Sequence, residues 1–77
     1  MKRRMEFKVE RPNLMEVGDH LSVTETEMDN FLYYTIEHAY GMSGNIPFSE
    51  ALHTRKGVVV AYEERPQGFY ATLEFDE

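Results

Sequence analysis

Residues 4–10, RMEFKVE, alternate without a break, with Met5, Phe7 and Val9 on one side and Glu6, Lys8 and Glu10 on the other. A period of two predicts a half-buried strand. The strand is expected to stop at Arg11-Pro12-Asn13, because Pro12 has no N–H to give a ladder and Asn13 favours a turn. The same period returns towards the other end of the chain. GVVVAYEE (57–64) and FYATLEF (69–75) flank Arg65-Pro66-Gln67-Gly68, where Pro66 suits the second position of a type I turn and Gly68 a positive φ. This predicts a hairpin. The first strand should pair with one of its strands, since a hairpin alone is not stable in water.

Between these elements, VTETEMDNFLYYTIEHAYG (23–41) carries the signals of a helix over about 25–40. Thr24 and Glu27 have the spacing of a capping box, Val23 and Met28 that of a hydrophobic staple, and Gly41 suits the left-handed residue that closes a helix. At about 100° per residue, Met28, Leu32, Thr35, Ile36 and Ala39 fall on one stripe. Glu27, Tyr34, Glu37 and His38 fall on the opposite, solvent side, with Phe31, Tyr33 and Tyr40 on the flanks. Residues 14–23 contain a turn at Gly18-Asp19 and read either as a loop or as short strands on each side of it. IPFSEALHTRK (46–56) predicts a short second helix near 47–54, starting at Pro47 or Ser49. The expected architecture is α+β: an antiparallel sheet of three to four strands, with the main helix packed on one face.

The length of 77 residues allows one domain, residues 1–77, and a modest core. Absence of cysteine excludes disulfides and thiolate metal sites. MKRRMEFKVE has no apolar run after its bases, so it does not read as a signal peptide. VVVAY (58–62) is too short to span a bilayer. The expectation is a soluble, cytoplasmic protein with no membrane partner.

Charge changes the picture most. Residues 1–11 hold five bases (Lys2, Arg3, Arg4, Lys8, Arg11) against two acids. Residues 12–54 hold seven acids (Glu16, Asp19, Glu25, Glu27, Asp29, Glu37, Glu50) and no Lys or Arg. The whole chain carries −6. Segregation on this scale implies a one-signed field over part of the surface. In the expected helix, Glu25, Glu27 and Asp29 meet the positive end of the dipole and are explained by stability. Glu37 is not, for it stands in the last turn with no Lys or Arg three or four residues away. Tyr34, one helical turn from Glu37, offers the amphipathic ring that interfaces favour.

Other chemistry finds little support. His20, His38 and His53 have no partner at metal-ligand spacing and there is no HExxH, so neither a metal nor a cofactor is expected; His38 instead suits the negative end of the helix dipole. Gly41-Met42-Ser43-Gly44 lacks the final glycine of a nucleophile elbow, because position 45 is Asn45. No glycine-rich phosphate loop is present, and an enzyme is not expected. Lys2-Arg3-Arg4 with Lys8 is a basic cluster, but the acidic remainder repels a phosphate backbone, so no direct nucleic-acid binding is expected.

These readings point to a small acidic protein-binding module. Glu16, Asp19, Glu27, Tyr34, Glu37 and Glu50 would form a face that docks on a basic protein, such as a histone-like nucleoid protein or a polymerase subunit. There the carboxylates would compete with DNA or RNA for sites built from Lys and Arg. The size and charge are also those of many small phage proteins, an analogy of size and charge alone. The alternative is an accessory or oligomerisation domain, its acids serving solubility and its hairpin edge or VVVAY strand pairing in a homodimer.

Overall fold

The computed structural model describes residues 2–10, 13–37 and 39–77. They form a closed, all-β barrel of six antiparallel strands: β1 (Lys2–Val9), β2 (His20–Glu27), β3 (Leu32–Ile36), β4 (Gly41–Ser43), β5 (Lys56–Arg65) and β6 (Gly68–Asp76). Around the barrel the order is β1-β4-β3-β2-β5-β6. β2, β3 and β4 meander, and β5 returns through a long connection to lie beside β2, which is a Greek key. β6 then closes the barrel by pairing with β1 along its whole length, from Lys2↔Asp76 to Val9↔Phe69. The expected first strand, the hairpin and their pairing are all present. The expected strand stop at Arg11-Pro12 and the dipole role of His38 lie outside the described residues.

The α+β architecture is not what forms, because among the described residues there is no α-helix. Residues 23–36 are instead a β-hairpin, with Glu27 opposite Leu32, Glu25 opposite Tyr34 and Val23 opposite Ile36. Met28 N–H donates to Phe31 O at 2.7 Å across the Asp29-Asn30 reversal. The local reason is composition: Val23, Thr24, Thr26, Tyr33, Tyr34, Thr35 and Ile36 are β-branched or aromatic, and fit a pleated surface better than a helix. The tertiary reason is burial. Leu32, Tyr34 and Ile36, spaced by two, all point into the barrel and are at most 2% exposed. A helix would bury Leu32 and Ile36 but turn Tyr34 to water. Thr24 caps nothing; its hydroxyl donates to Thr35 O across the hairpin at 3.4 Å. Gly41 closes no helix but enters β4, and a Cβ there would lie 2.9 Å from Lys8 O.

The second expected helix, 47–54, shrinks to a single 3-10 turn at Phe48–Glu50. The chain is already extended at Ala51 (φ −59°, ψ 144°), because Leu52 turns inward and plugs the barrel at 4% exposure. The ambiguous stretch before β2 proves to be loop up to Asp19, and β2 begins at His20.

The core is filled from every wall. Met5, Phe7 and Val9 come from β1, Val59 from β5, and Ala71, Leu73 and Phe75 from β6. β5 carries a bulge, where the register steps from Val59↔Leu73 to Ala61↔Thr72. Such a bulge adds twist and helps a sheet of this size curl shut. Gly57 faces inward because the Phe75 ring lies on it; a Cβ there would be 2.8 Å from Phe75 Cε2.

Candidate functional site

The barrel has two ends, and the topology assigns the acids to them. β1, β3 and β5 finish at one end, where β2, β4 and β6 begin. Glu16 and Asp19 lie there in the β1–β2 connection, and Glu37 follows the last residue of β3. Asp19 Oδ2 accepts from Glu16 N–H at 2.9 Å, and Asp19 N–H donates to Glu16 O at 3.0 Å, so these two are held as one turn. Glu37 N–H donates to Ser22 O at 3.0 Å, which ties it to the strand that Asp19 leads into. Glu27 and Glu50 occupy the opposite end, at the finish of β2 and in the 3-10 turn. Glu27 faces Leu32 and Glu37 follows Ile36, so the length of β3 separates them, about 17 Å at ~3.3 Å per residue. The five acids are therefore two groups, not one patch.

Tyr34 belongs to neither group. Its ring is fully buried, and its hydroxyl reaches the plugged end of the barrel. There Tyr34 Oη donates to Glu25 Oε2 at 2.6 Å and accepts from Leu52 N–H at 2.7 Å. Arg55 completes the arrangement: it pairs with Glu25 at 3.2 Å, donates to Leu52 O at 2.9 Å, and stands 5.6 Å from the centre of the Tyr34 ring. Burial pushes the Tyr34 hydroxyl above its ordinary pKa, and the hydrogen bond to the Glu25 carboxylate pushes the same way. This is a structural clamp that holds the plug. Its residues Glu25, Leu52 and Arg55 carried no functional signal in the sequence; the clue to it was the inward phase of Leu32-Tyr33-Tyr34-Thr35-Ile36.

Ion pairing divides the charges sharply. Lys2 pairs with Asp76, Arg3 with Glu77, Arg4 with Glu74, Arg55 with Glu25, and Arg65 with both Glu6 and Glu63. Arg65 also stacks over Tyr70 at 4.3 Å, and its hydrogen bonds hold the Glu6 carboxyl below the usual range. Glu77 Oε2 accepts from His53 N–H (2.6 Å) and Thr54 N–H (3.1 Å). Burial pushes Glu77 up, but these amides, with His53 and Arg3 nearby, outweigh it and leave its pKa lowered. Five of the seven described bases are thus engaged by acids; Lys8 and Lys56 are not. Eight acids make no ion pair among the described residues: Glu10, Glu16, Asp19, Glu27, Asp29, Glu37, Glu50 and Glu64. All eight are exposed.

Among the described residues no group of three or more His, Asp or Glu is placed to hold a metal ion. One shallow surface hollow is lined by Lys2, Arg3, Ser49, Ala51, His53 and Glu77, and so places one hydroxyl and one imidazole on the same wall. A scan of protein-family models and searches of curated proteins and of solved structures find no match to this chain.

Proposed function

We propose that the domain is a protein-binding module that presents its unpaired carboxylates to a basic, nucleic-acid-binding protein and competes there with DNA or RNA. The observation that carries this reading is the asymmetry of pairing. Most described bases are spent on local ion pairs, while eight exposed acids have no ion pair among the described residues and project a negative field. A phosphate-binding surface is built of Lys and Arg that neutralise backbone phosphates, and fixed carboxylates address the same groups. Such a field steers encounter and rejects acidic partners, and its effect falls with salt. Glu16, Asp19 and Glu37 serve from one end of the barrel and Glu27 and Glu50 from the other. Tyr34 has no part in the contact, since no surface of its ring is open to a partner. A histone-like nucleoid protein or a polymerase subunit has the required basic surface.

The accessory or oligomerisation reading has less to stand on. Barrel closure gives Val58 ladder partners on both sides, His20 and Glu74, and Val59 bonds Gly18 and Asp19 opposite its Leu73 neighbour. The start of VVVAY is therefore not an open edge.

The test is capture from bacterial lysate on the immobilised protein at low and high salt, with Glu27→Lys plus Glu37→Lys as the paired variant. Both residues are exposed, so the fold should persist. The proposal expects a basic protein retained at low salt, released at high salt, and lost with the double reversal. Retention that ignores the reversal would refute it.

A further inference from the structure

The strand phase that sends Tyr34 inward sends its neighbours out. On the outer wall formed by β2, β3 and β4, Thr26 stands opposite Tyr33, and Thr24, Thr35 and Met42 form a row. One step further, the reversal sets Met28 against Phe31. Met28 and Met42 are 47% and 46% exposed. Phe31 and Tyr33 are only half-exposed, yet neither packs on the core cluster. These four large side chains, with three threonines between them, make a wall with no charged residue at its outward positions. Beside Met42 lies a shallow hollow of about 330 Å³, lined also by Lys8, Val9 and Glu10.

The border of the wall is charged. Glu27 and Asp29 stand at one end of it and Glu37 at the other, all exposed and none ion-paired among the described residues. Lys8, across from Met42, is the one base in the adjoining register. An apolar centre with an acidic rim is complementary to a segment that carries large apolar side chains flanked by Lys or Arg. Methionine suits such a site, because its unbranched side chain adapts to what is laid on it. Size favours a segment over a whole globular face. β2 and β3 contribute five paired residues each and β4 three, which at ~4.8 Å by ~3.3 Å per residue covers roughly 200 Å², against the ~800 Å² per partner of a standard interface. A second copy of this chain is a poor occupant, since it would set the same carboxylates against one another.

We infer that the outer β2–β3–β4 wall, through Met28, Phe31, Tyr33 and Met42, docks a basic amphipathic segment of the partner protein, with the hollow beside Met42 taking an apolar side chain. This rests on the protein-docking reading and adds to it the place of contact and the chemistry of the segment.

The experiment is a titration of the full chain, methyl-labelled at methionine, followed by NMR. Three peptides are compared: one of Lys and Leu, one of Lys and Ser with equal charge, and one of Leu and Ser without charge. The Lys/Leu peptide should shift the Met28 and Met42 methyl signals saturably and leave the buried Met5 and Met15 in place. The Lys/Ser peptide should bind at least tenfold more weakly, and so should the Lys/Leu peptide to Phe31→Ser with Met42→Ser, whose fold is checked by circular dichroism. Equal affinity for that variant, equal affinity of the Lys/Ser peptide, or shifts confined to buried methionines would overturn the inference. Concentration-dependent Met42 shifts without peptide would also overturn it, by naming a second copy as the occupant. If the wall variant keeps its affinity while Glu27→Lys plus Glu37→Lys loses lysate capture, the wall is wrong and the charge reading stands. The reverse pattern leaves the wall standing and removes the charge reading.

Discussion

Tyr34→Phe removes one oxygen from the barrel and strands a buried amide. Leu52 N–H, which donates to that oxygen at 2.7 Å, keeps no acceptor, and Leu52 is 4% exposed, so water does not replace it. A buried donor left unsatisfied costs about 1–3 kcal/mol. Glu25 also loses its 2.6 Å donor, but it keeps Arg55 and is partly open to solvent, so this loss adds little. The expected destabilisation is about 2 kcal/mol. A chain of this length is stable by roughly 4–12 kcal/mol, at ~0.05–0.15 kcal/mol per residue. The variant should therefore stay folded with a melting temperature lowered by about 8–16 °C, at ~4–8 °C per kcal/mol. Urea unfolding followed by far-ultraviolet circular dichroism reads the change as a lower midpoint at unchanged slope. Tyr33→Phe is the internal control: its side chain lies on the outer wall, and the change should stay within about 0.5 kcal/mol. A loss below about 0.5 kcal/mol for Tyr34→Phe would refute the reasoning, because it would place the hydroxyl in water, where a surface helix puts it.

The remaining predictions concern the packing beside this clamp, at the same end of the barrel, and the pH response. Gly57→Ala should destabilise by about 1–3 kcal/mol in urea, since its Cβ would meet the Phe75 ring at 2.8 Å; a gain in stability, the usual effect of alanine in a strand, would show that the ring does not lie there. Glu77 has a folded pKa below its ordinary 4.5, so the stabilisation from its charge is present above that value and is lost as pH falls through the folded pKa. Glu77→Gln should accordingly lower the unfolding midpoint at neutral pH, and the gap to the parent protein should close on acidification below the ordinary value. A gap that persists at low pH would mean that the charge is not what holds His53 and Thr54.

What the sequence made legible depended on how many residues shared one period. β1 and the β5–β6 hairpin alternate strictly over long stretches, and Pro66-Gln67-Gly68 marks the turn between them. The middle of the chain carries two periods at once. Thr24-x-x-Glu27 matches a capping box, yet the same two residues are equally at home in a strand. Leu32 and Ile36 lie on one stripe at a spacing of four, and they are also in phase at a spacing of two. Tyr34 separates the two readings: a helix turns it to solvent and a strand turns it in. Nothing local decides between these. The decision comes from closure of the barrel, which needs a wall of inward Leu32, Tyr34 and Ile36 beside β2 and β4. β4 is three residues long, Gly41–Ser43, and such a strand leaves no periodic trace. The exposed acids were legible as acids, but their division between two ends comes from strand order, which composition does not encode. Phe31, Tyr33 and Met42 become one face only once β3 and β4 are paired.

The most direct test of the functional account is a competition on whatever basic protein the immobilised domain retains at low salt. Duplex DNA added at increasing concentration should displace that protein in proportion to its own affinity for DNA, and pre-loading the partner with DNA should block capture. A ternary complex, with DNA and this domain held by the partner at the same time and neither weakening the other, would contradict the claim that exposed carboxylates take the place of phosphates.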